Sequence, residues 1–339
     1  MRAIVLQEPG RFVARRVPEP ESPGPGDALV RVKAVGICGT DIHAYRGRQP
    51  FFRYPRILGH ELGVEVVETG REVSQVRPGD RCAVEPYLYC GACAPCAAGK
   101  TNCCSSLQVL GVHVDGGLQE YLVVPARNLH RSESMGFEPL ALVETLGIGA
   151  HAVDRAAVRR GETVLVLGAG PIGLSVATFA DLAGGATVVA DTDPARLRFA
   201  AGAAPRCEPL PADADLAERL AERTGGEMAA VVFDATGDAG SMARALQYVA
   251  QGGRLVFVGL VQADIPIADP EFHRREATLC ATRNATAADY ARILPLVGSG
   301  FIDATPWISH RTSLDALPLV FERWLEPEAH LLKGMVQVM

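Results

Sequence analysis

The sequence has 339 residues, more than a single hydrophobic core usually organises, so two domains are expected. Hydrophobic residues make up 48% and charged residues 21%, as in globular proteins, and the net charge of -6 argues against a nucleic-acid-binding protein, which needs a basic face. No apolar run approaches the ~20 residues that span a bilayer, and the N-terminus lacks the apolar stretch of a signal peptide, so a cytoplasmic location is expected.

The first part of the chain, residues 1–145, is predicted to form an antiparallel, barrel-like β domain. The segments 27–35 and 63–69 are short, rich in valine and bounded by glycine or proline, as strands usually are. Turn sequences recur around them, as in PGPG at 23–26 and PGD at 78–80. Many short strands with frequent turns are typical of a barrel.

Cysteines cluster in a lobe at about residues 85–110. Cys90, Cys93 and Cys96 follow one another at C-x-x-C spacing, and Cys103 adjoins Cys104 further along. Four cysteines on one loop can form a tetrahedral thiolate site without an open position, so we predict a structural zinc ion. The spacing alone also suits an iron–sulfur cluster or a set of disulfides, and it does not decide between Cys103 and Cys104.

Three further residues are of types that bind zinc: Cys38, His60 and Glu144. Singly, each is an ordinary core, hydrogen-bonded or helix-capping residue. Residue type alone therefore does not decide whether Cys38 and His60 bind one metal ion together.

Strands and helices alternate from about residue 146 to residue 283. Such alternation predicts a parallel, doubly wound sheet, and the closing segment 284–339 is expected to return to the first domain. The predicted strands lie at 163–167, 187–190, 229–234, 254–258, 278–281 and, in the closing segment, 335–338; the predicted helices follow the first of these strands through residue 183 and span 194–201.

A glycine motif, GAGPIG at 168–173, joins the first of these strands to its helix. Gly168 permits the tight turn, Gly170 lets the backbone approach a pyrophosphate, and Gly173 lets the helix pack on the strand. With Pro171 and Ile172 these residues open a helix whose free N–H groups attract phosphate. The context predicts a dinucleotide site; the alternative is a glycine turn without a ligand.

Asp191 closes the next strand, about 20 residues further on, where a carboxylate can accept hydrogen bonds from the adenosine ribose. A carboxylate there repels the 2′-phosphate of NADP, so NAD is the predicted cofactor. Asp193 is a nearby alternative, and Arg196 is expected to flank the adenosine.

Taken together, these motifs resemble those of the zinc-containing medium-chain alcohol and polyol dehydrogenases, over essentially the whole chain. The resemblance implies a GroES-like β-barrel domain with a Rossmann domain, NAD, and one catalytic and one structural zinc ion per chain. It also selects Cys104 over Cys103 as the fourth structural ligand. The motifs that carry it are GICGTDIH (36–43), GHE (59–61), VRPGDRC (76–82), CGACAPCAAGKTNCC (90–104), GGLQEY (116–121) and GAGPIG (168–173).

The resemblance assigns the catalytic zinc to Cys38 and His60. The third ligand varies in this family: alcohol-type members have a cysteine at the position of Glu144, whereas sorbitol-type members use a glutamate, which here is Glu61 or Glu144. The glutamate at this junction places the chain near the polyol and sorbitol-like branch. Asp41 is expected to orient His60, since a metal-bound histidine usually has a partner for its other N–H.

Three more residues match functional positions of the family. Thr40 matches the hydroxyl residue that hydrogen-bonds the substrate oxygen, His43 the outer end of the proton relay, and Lys333 the basic residue near the cofactor pyrophosphate. The implied reaction is zinc-assisted transfer of a hydride from a hydroxylated carbon to NAD.

Two stretches, 43–61 and 101–121, are similar to those of bacterial hexonate dehydrogenases, which oxidise L-galactonate or L-gulonate at C5. A sugar acid needs a fixed cation in the pocket, and arginine pairs bidentately with a carboxylate. The candidates for this pocket are Phe51, Arg53, Arg283 and Asn284, with Arg46, Arg48, Phe52 and Arg56 as further ones.

Other interpretations stay open at this point. Neutral polyols, inositol-type ring alcohols and L-threonine-like amino alcohols are alternative substrates. A zinc-free quinone reductase is disfavoured because such relatives typically lack the cysteine lobe, and a non-catalytic zinc- and nucleotide-binding protein is disfavoured by the Thr40 and His43 relay. Family analogy predicts a homo-oligomer, either dimer or tetramer, without nucleic-acid or membrane partners.

Overall fold

The computed structural model describes residues 1–49, 52–203 and 207–338, which divide into two units. The first unit comprises Met1–Glu144 together with the segment from Ala285 onward, and the second comprises Thr145–Asn284. Antiparallel sheets dominate the first unit and a parallel sheet forms the second. The predicted fold class, a GroES-like barrel domain plus a Rossmann domain, is confirmed.

Strands of the first unit alternate buried and accessible residues, because one face of each strand packs on the core while the other approaches solvent. The strands are β1 (Arg2–Glu8), β2 (Arg11–Arg16), β3 (Asp27–Ile37), β4 (Arg56–Ile57), β5 (Glu61–Thr69), β6 (Arg81–Val84), β7 (Tyr87–Leu88), β8 (Gln108–Val109), β9 (Tyr121–Pro125), β10 (Leu129–Ser132), and, after the second unit, β17 (Ile308–Ser313) and β18 (Lys333–Gln337).

Strand β3 is the centre of the larger sheet, whose order is β10-β6-β5-β3-β18-β17, with β9 also paired to β3. In this register Gly36 lies opposite Glu61, the first residue of β5. Cys38 follows β3 directly, His60 precedes β5 directly, and β18 begins at Lys333. The pairing of three strands distant in sequence therefore gathers these side chains at the C-terminal end of β3.

The second unit is a six-stranded parallel sheet of order β13-β12-β11-β14-β15-β16, the doubly wound arrangement of dinucleotide-binding folds. Its inner strands are buried runs of Val, Leu, Ala and Phe, as expected of a sheet covered on both faces. The strands are β11 (Thr163–Leu167), β12 (Ala186–Asp191), β13 (Glu208–Pro211), β14 (Ala229–Asp234), β15 (Val249–Phe257) and β16 (Thr278–Ala281).

Helices connect these strands and close the first unit. In the described residues no helix is both long and apolar enough to cross a membrane. The helices are α1 (Gly39–Tyr45), α2 (Ala94–Ala97), α3 (Phe137–Ala156), α4 (Pro171–Leu182), α5 (Pro194–Ala203), α6 (Leu216–Arg223), α7 (Ala239–Arg244), α8 (Asp269–Arg274), α9 (Ala287–Gly298) and α10 (Leu317–Trp324).

Candidate zinc and dinucleotide sites

The cysteine lobe brings four thiols together: Cys90, Cys93, Cys96 and Cys104, whose ligand atoms all lie within 4.8 Å of one another. The sulfur of Cys104 lies 3.5 Å from that of Cys90 and 3.8 Å from that of Cys93. A disulfide needs about 2.05 Å between sulfurs. Four thiolates around zinc at bond lengths of about 2.3 Å stand ~3.8 Å apart, so the set fits a tetrahedral zinc ion.

Backbone amides in the lobe donate hydrogen bonds to the cysteine sulfurs. Such donors stabilise the thiolate relative to the thiol, and the thiolate is the form that binds a metal cation. Hydrogen bonds from the backbone of Ser105 and Cys96 lower the pKa of Cys93 to about 6. The amide of Cys90 donates to the Cys104 sulfur, which lowers the pKa of Cys104. Cys103 is exposed and lies outside the four-sulfur cluster.

We expect Cys104→Ser to lose one zinc ion per chain and to melt at lower temperature, because a structural zinc site contributes directly to folding free energy. Cys103→Ser is the matched control and should keep both the metal and the melting temperature. Elemental analysis of zinc with calorimetry of the two variants measures this. Equal zinc content in Cys104→Ser and wild type would remove Cys104 from the ligand set.

A second cluster lies at the C-terminal end of β3, where the ligand atoms of Cys38, His60 and Glu61 lie within 4.8 Å of one another. His60 and Glu61 are buried and Cys38 is partly buried. A thiol, an imidazole and a carboxylate form the mixed donor set of a zinc site that leaves one position open. These three residues therefore fit a catalytic zinc ion.

Asp41 supports this cluster from helix α1. Its Oδ2 accepts a hydrogen bond from the Cys38 amide at 2.8 Å, and its Oδ1 lies 3.8 Å from Nδ1 of His60. Both Oδ1 of Asp41 and Nδ1 of His60 are buried and lack a hydrogen-bond partner among the described residues. Because Nδ1 faces Asp41, Nε2 is the ring nitrogen left to a metal.

The electrostatics of this cluster favour a cation. Burial alone would lower the pKa of His60, but attraction to Asp41 and Cys38 outweighs it and raises the pKa well above its usual value. Burial raises the pKa of Asp41. The anionic groups around His60 thus attract a positive charge, which a zinc ion supplies when bound.

Glu61 and Glu144, the two candidates for the third ligand, have different partners. Both carboxylate oxygens of Glu61 meet Nζ of Lys333, at 2.6 and 2.8 Å, and Lys333 also donates to the Ile37 carbonyl at 3.3 Å. A Cβ at Gly36 would stand 2.0 Å from Oε2 of Glu61, so only glycine permits this approach. Lys333 therefore lies beside the metal cluster, and its part at the cofactor pyrophosphate stays a prediction.

Glu144 does not join the three-ligand cluster. It lies within helix α3, is buried, and accepts a hydrogen bond from the Tyr87 hydroxyl. Burial raises the pKa of Glu144, and the charge of His60 opposes this increase. Neither Tyr87 nor the pairing of Lys333 with Glu61 was predicted from the sequence.

The predicted relay residues lie on one short helix. Thr40 and His43 are three residues apart in α1, a spacing that places side chains on one helix face. Partial desolvation, with the positive charges of Arg46 and Arg48, lowers the pKa of His43. The lowered pKa favours the neutral imidazole of His43, the form that accepts a proton.

The glycine motif forms the turn between β11 and α4. Gly168 has φ of +96°, and a Cβ at Gly173 would stand 1.7 Å from the Gly168 carbonyl oxygen, so both positions require glycine. A Cβ at Gly170 would meet open space, which leaves room beside the backbone at the start of α4. With Pro171 and Ile172 opening a helix of 12 residues, the turn fits a pyrophosphate.

Asp191 is the last residue of β12, and its carboxylate binds the backbone of this turn. Its Oδ2 accepts a hydrogen bond from the Ala169 amide at 2.6 Å, and its Oδ1 accepts one from the Asp193 amide at 2.8 Å. Asp191 therefore contacts the glycine motif, because β12, which ends at Asp191, pairs with β11, which leads into the motif. Arg196 is exposed on α5, with Nε 3.9 Å from the carboxylate of Asp193.

The proposed substrate residues are divided between the two units. Phe51 lies outside the described residues. Arg53 is exposed in the first unit, and Arg56 pairs with Asp115 at 3.1 Å. Arg283 is exposed in the second unit. Asn284 has a left-handed backbone, φ of +58°, and its buried Nδ2 has no hydrogen-bond partner among the described residues. The structure does not bring these residues into one described cluster.

Comparison with known proteins places the chain among dehydrogenases. The family model described as alcohol dehydrogenase GroES-like domain matches residues 24–134, and that of zinc-binding dehydrogenase matches residues 171–299. L-galactonate-5-dehydrogenase of Escherichia coli K12 is 42% identical over 99% of this chain and 98% of its own.

Solved structures agree with this comparison. A putative zinc-binding dehydrogenase of Sinorhizobium meliloti 1021 bound to NADP is 32% identical, with a TM-score of 0.91 over 99% of this chain and 98% of its own. An alcohol dehydrogenase of Escherichia coli CFT073 complexed with NADH is 29% identical, with a TM-score of 0.90 over 99% of each chain.

Proposed function

This chain belongs to the zinc-containing medium-chain alcohol dehydrogenase family, and we propose that it oxidises a secondary hydroxyl of a sugar acid to a ketone, with NAD as the acceptor. The observation that carries the proposal is the buried cluster of Cys38, His60 and Glu61, with Asp41 behind His60. It combines the donors of a catalytic zinc site with a histidine and a hydroxyl on the adjoining helix.

The proposal separates metal binding from cofactor binding. The predicted catalytic domain, residues 1–145 and 284–339, holds the catalytic zinc through Cys38, His60 and Glu61 and the structural zinc through the cysteine lobe. The predicted Rossmann domain, residues 146–283, holds NAD at the glycine motif and Asp191. When bound, zinc supplies Lewis acidity and NAD supplies a two-electron acceptor.

Residues of the protein then remove the proton of the substrate hydroxyl. Oδ1 of Asp41 faces Nδ1 of His60 at 3.8 Å, and its charge favours this orientation of the ring. In the proposed relay, Thr40 takes up the proton that the substrate hydroxyl gives up and releases its own hydroxyl proton toward His43, three residues further along α1, and His43 gives a proton to solvent. Removal of the proton from the substrate hydroxyl makes the carbon that bears this hydroxyl a better hydride donor.

A sugar acid as substrate is supported by the relative that is named L-galactonate-5-dehydrogenase and by local positive charge. Arg46 and Arg48 are exposed near His43 and act on its pKa, and Arg53 follows nearby in the chain. Arg56 is already paired with Asp115, so it is the weaker candidate. We assign the substrate carboxylate to these exposed cations of the first unit or to Arg283.

The test is NADH formation at 340 nm with NAD and a panel of L-galactonate, L-gulonate, sorbitol and inositol, before and after chelation of zinc. Turnover of a hexonate that chelation abolishes supports the proposal. Turnover of neutral polyols alone keeps the zinc chemistry and excludes the carboxylate site. Undiminished turnover after verified removal of zinc would contradict the zinc chemistry itself.

We predict that NADP is used at least ~100-fold less efficiently than NAD in kcat/KM, because a 2′-phosphate beside Asp191 costs about 3 kcal/mol or more, at about 1.4 kcal/mol per factor of ten. Asp191→Asn removes the charge but keeps only one acceptor oxygen for the amides of Ala169 and Asp193, and it should bring the kcat/KM values for NAD and NADP closer together. Steady-state kinetics with both cofactors measures it. Equal use of NADP by the wild type would exclude the assigned role of Asp191.

The proposal includes a homo-oligomer. Edge strand β16 pairs with β15 on one side, is largely exposed, and carries Leu279, which is 37% exposed. Exposed apolar edge strands are usually covered, and a second copy across a two-fold axis can do this. Light scattering should therefore give a mass two or four times the 36.0 kDa of one chain, and Leu279→Lys should lower it. A wild-type mass of one chain would contradict this.

We also place the enzyme in the cytoplasm. All nine cysteines are free thiols, and clusters of reduced thiols bound to metal are typical of reducing compartments.

A further inference from the structure

A second carboxylate, that of Asp234, ends the strand on the other side of β11 from Asp191. Asp234 is the last residue of β14 and lies opposite Leu167, the residue before the glycine motif, while Ala190 of β12 lies opposite Leu167 on the far side. The amide of Ala235 donates to the Leu167 carbonyl at 2.9 Å. The chain that follows β14 therefore begins directly beside the motif, at the edge where parallel sheets bind their ligands.

The carboxylate of Asp234 is fully buried and accepts three hydrogen bonds. Its Oδ1 accepts one from the amide of Thr236 at 3.0 Å and one from the hydroxyl of Thr236 at 2.6 Å. Its Oδ2 accepts one from the hydroxyl of Ser241 at 2.6 Å. Within the described part of the chain these donors are its side-chain partners, and none of them is a cation. A buried charge without a counter-ion depends on its hydrogen bonds, so Asp234 restrains both hydroxyl residues.

Thr236 is exposed, yet its hydroxyl is bound on both sides. It donates to Asp234 and accepts a hydrogen bond from the amide of Asp238 at 3.1 Å. The methyl group of Thr236 lies against the glycine motif, since a Cβ at Gly168 would stand 3.3 Å from Cγ2 of Thr236. The β14 loop, residues 235–238, therefore packs directly on the turn that fits a pyrophosphate.

We propose that Asp234 is a positioning residue for the cofactor: through the hydroxyl of Thr236 it holds the β14 loop against Gly168, and so keeps the glycine motif in the shape that binds the pyrophosphate. This inference rests on the use of NAD proposed above. Asp191 restrains the same motif from β12 through the amide of Ala169. A turn that is restrained from both neighbouring strands loses less conformational freedom when its ligand binds.

The experiment compares Thr236→Val with Thr224→Val, its matched control, in the binding of NADH by fluorescence and of ADP-ribose by competition. Valine keeps the methyl group and removes the hydroxyl. The hydroxyl of Thr224 also makes two hydrogen bonds of this kind, to the Leu220 carbonyl at 2.8 Å and from the Met228 amide at 2.9 Å. Met228 precedes the first residue of β14, so this hydroxyl lies at the end of the strand away from the motif.

Thr236→Val should weaken the binding of both ligands about 10-fold, because a turn that is only partly in its binding shape lowers the apparent affinity by that fraction. Thr224→Val should leave both dissociation constants and NADH formation unchanged. Adenosine has no phosphate, so Thr236→Val should bind it as the wild type does. Thr236→Ser restores the hydroxyl and should recover most of the affinity for ADP-ribose, which packing of the methyl group alone would not allow.

A double-mutant cycle tests whether Thr236 acts through Asp234. Asp234→Leu removes the acceptor, and it should weaken ADP-ribose binding as much as Thr236→Val does, with no further loss in the double variant. Multiplied losses in the double variant would overturn the proposal, and so would wild-type affinity in Thr236→Val or an equal loss for adenosine. A wild-type protein that binds neither NADH nor ADP-ribose would instead contradict the proposed function.

Discussion

Replacement of Cys38 with serine should reduce the zinc content from two ions per chain to one and lower kcat/KM by about 10³-fold or more. Cys38 contributes the thiolate of the catalytic cluster, and a serine hydroxyl is a far weaker zinc ligand. Lewis acidity is worth several kcal/mol in reactions of this type, and about 4 kcal/mol corresponds to roughly 10³ in rate. The second zinc ion should remain, because Cys90, Cys93, Cys96 and Cys104 are unchanged.

Zinc analysis and NADH formation on the same preparation make this measurement. Cys280→Ser is a suitable control, because Cys280 is a partly buried thiol of β16 that belongs to neither cluster. It should retain two zinc ions and full turnover. If Cys38→Ser also retained two zinc ions and full turnover, the catalytic assignment of Cys38 would be wrong.

Sites built from one stretch of chain could be predicted from the residues alone. Cys90, Cys93 and Cys96 lie within seven residues, and the glycine motif within six, so their spacing nearly fixes their geometry. The parallel sheet could also be predicted from the sequence, since β11, β14 and β16 have the predicted bounds. Local spacing carries this information because a loop or a turn has few conformations.

The catalytic cluster could not be derived in this way. Cys38, Glu61 and Lys333 meet only because β5 and β18 both pair with β3, and no local pattern encodes that pairing. Family resemblance provided Cys38 and His60 as ligands. It did not indicate that Lys333 contacts Glu61, since a matched position does not give the contacts of a side chain.

Elements β13, α6, α7 and α8 of the second unit were not predicted, and two of them show the physical reasons. Strand β13 (Glu208–Pro211) contains two prolines, which are typical of an edge strand and obscure its pattern. Helix α6 (Leu216–Arg223) buries only Leu216 and Leu220 fully, so its apolar signal is short. Neither element contributes a residue to the predicted sites.

The buried ion pair of Lys333 and Glu61 leads to the second large effect. Lys333 is 2% exposed and Glu61 is fully buried. Burial alone would lower the pKa of Lys333, but attraction to Glu61 and Cys38 raises it, so the ammonium stays charged. Lys333→Met therefore leaves a buried carboxylate without its cation, and breaking such a pair costs about 3–5 kcal/mol.

The size of this loss should depend on zinc, because a metal ion at the cluster can offset the charge of Glu61 in place of the ammonium. After chelation, we expect Lys333→Met to unfold at a much lower urea concentration than the chelated wild type. With zinc bound, the variant should lose less stability relative to the wild type. Both tryptophans, Trp307 and Trp324, lie in the first unit, so their fluorescence reports on the unit that contains the pair. Glu61→Gln combined with Lys333→Met removes both charges and should recover most of the lost stability of the chelated protein. If Lys333→Met unfolds like the wild type with and without zinc, the pair does not stabilise this cluster.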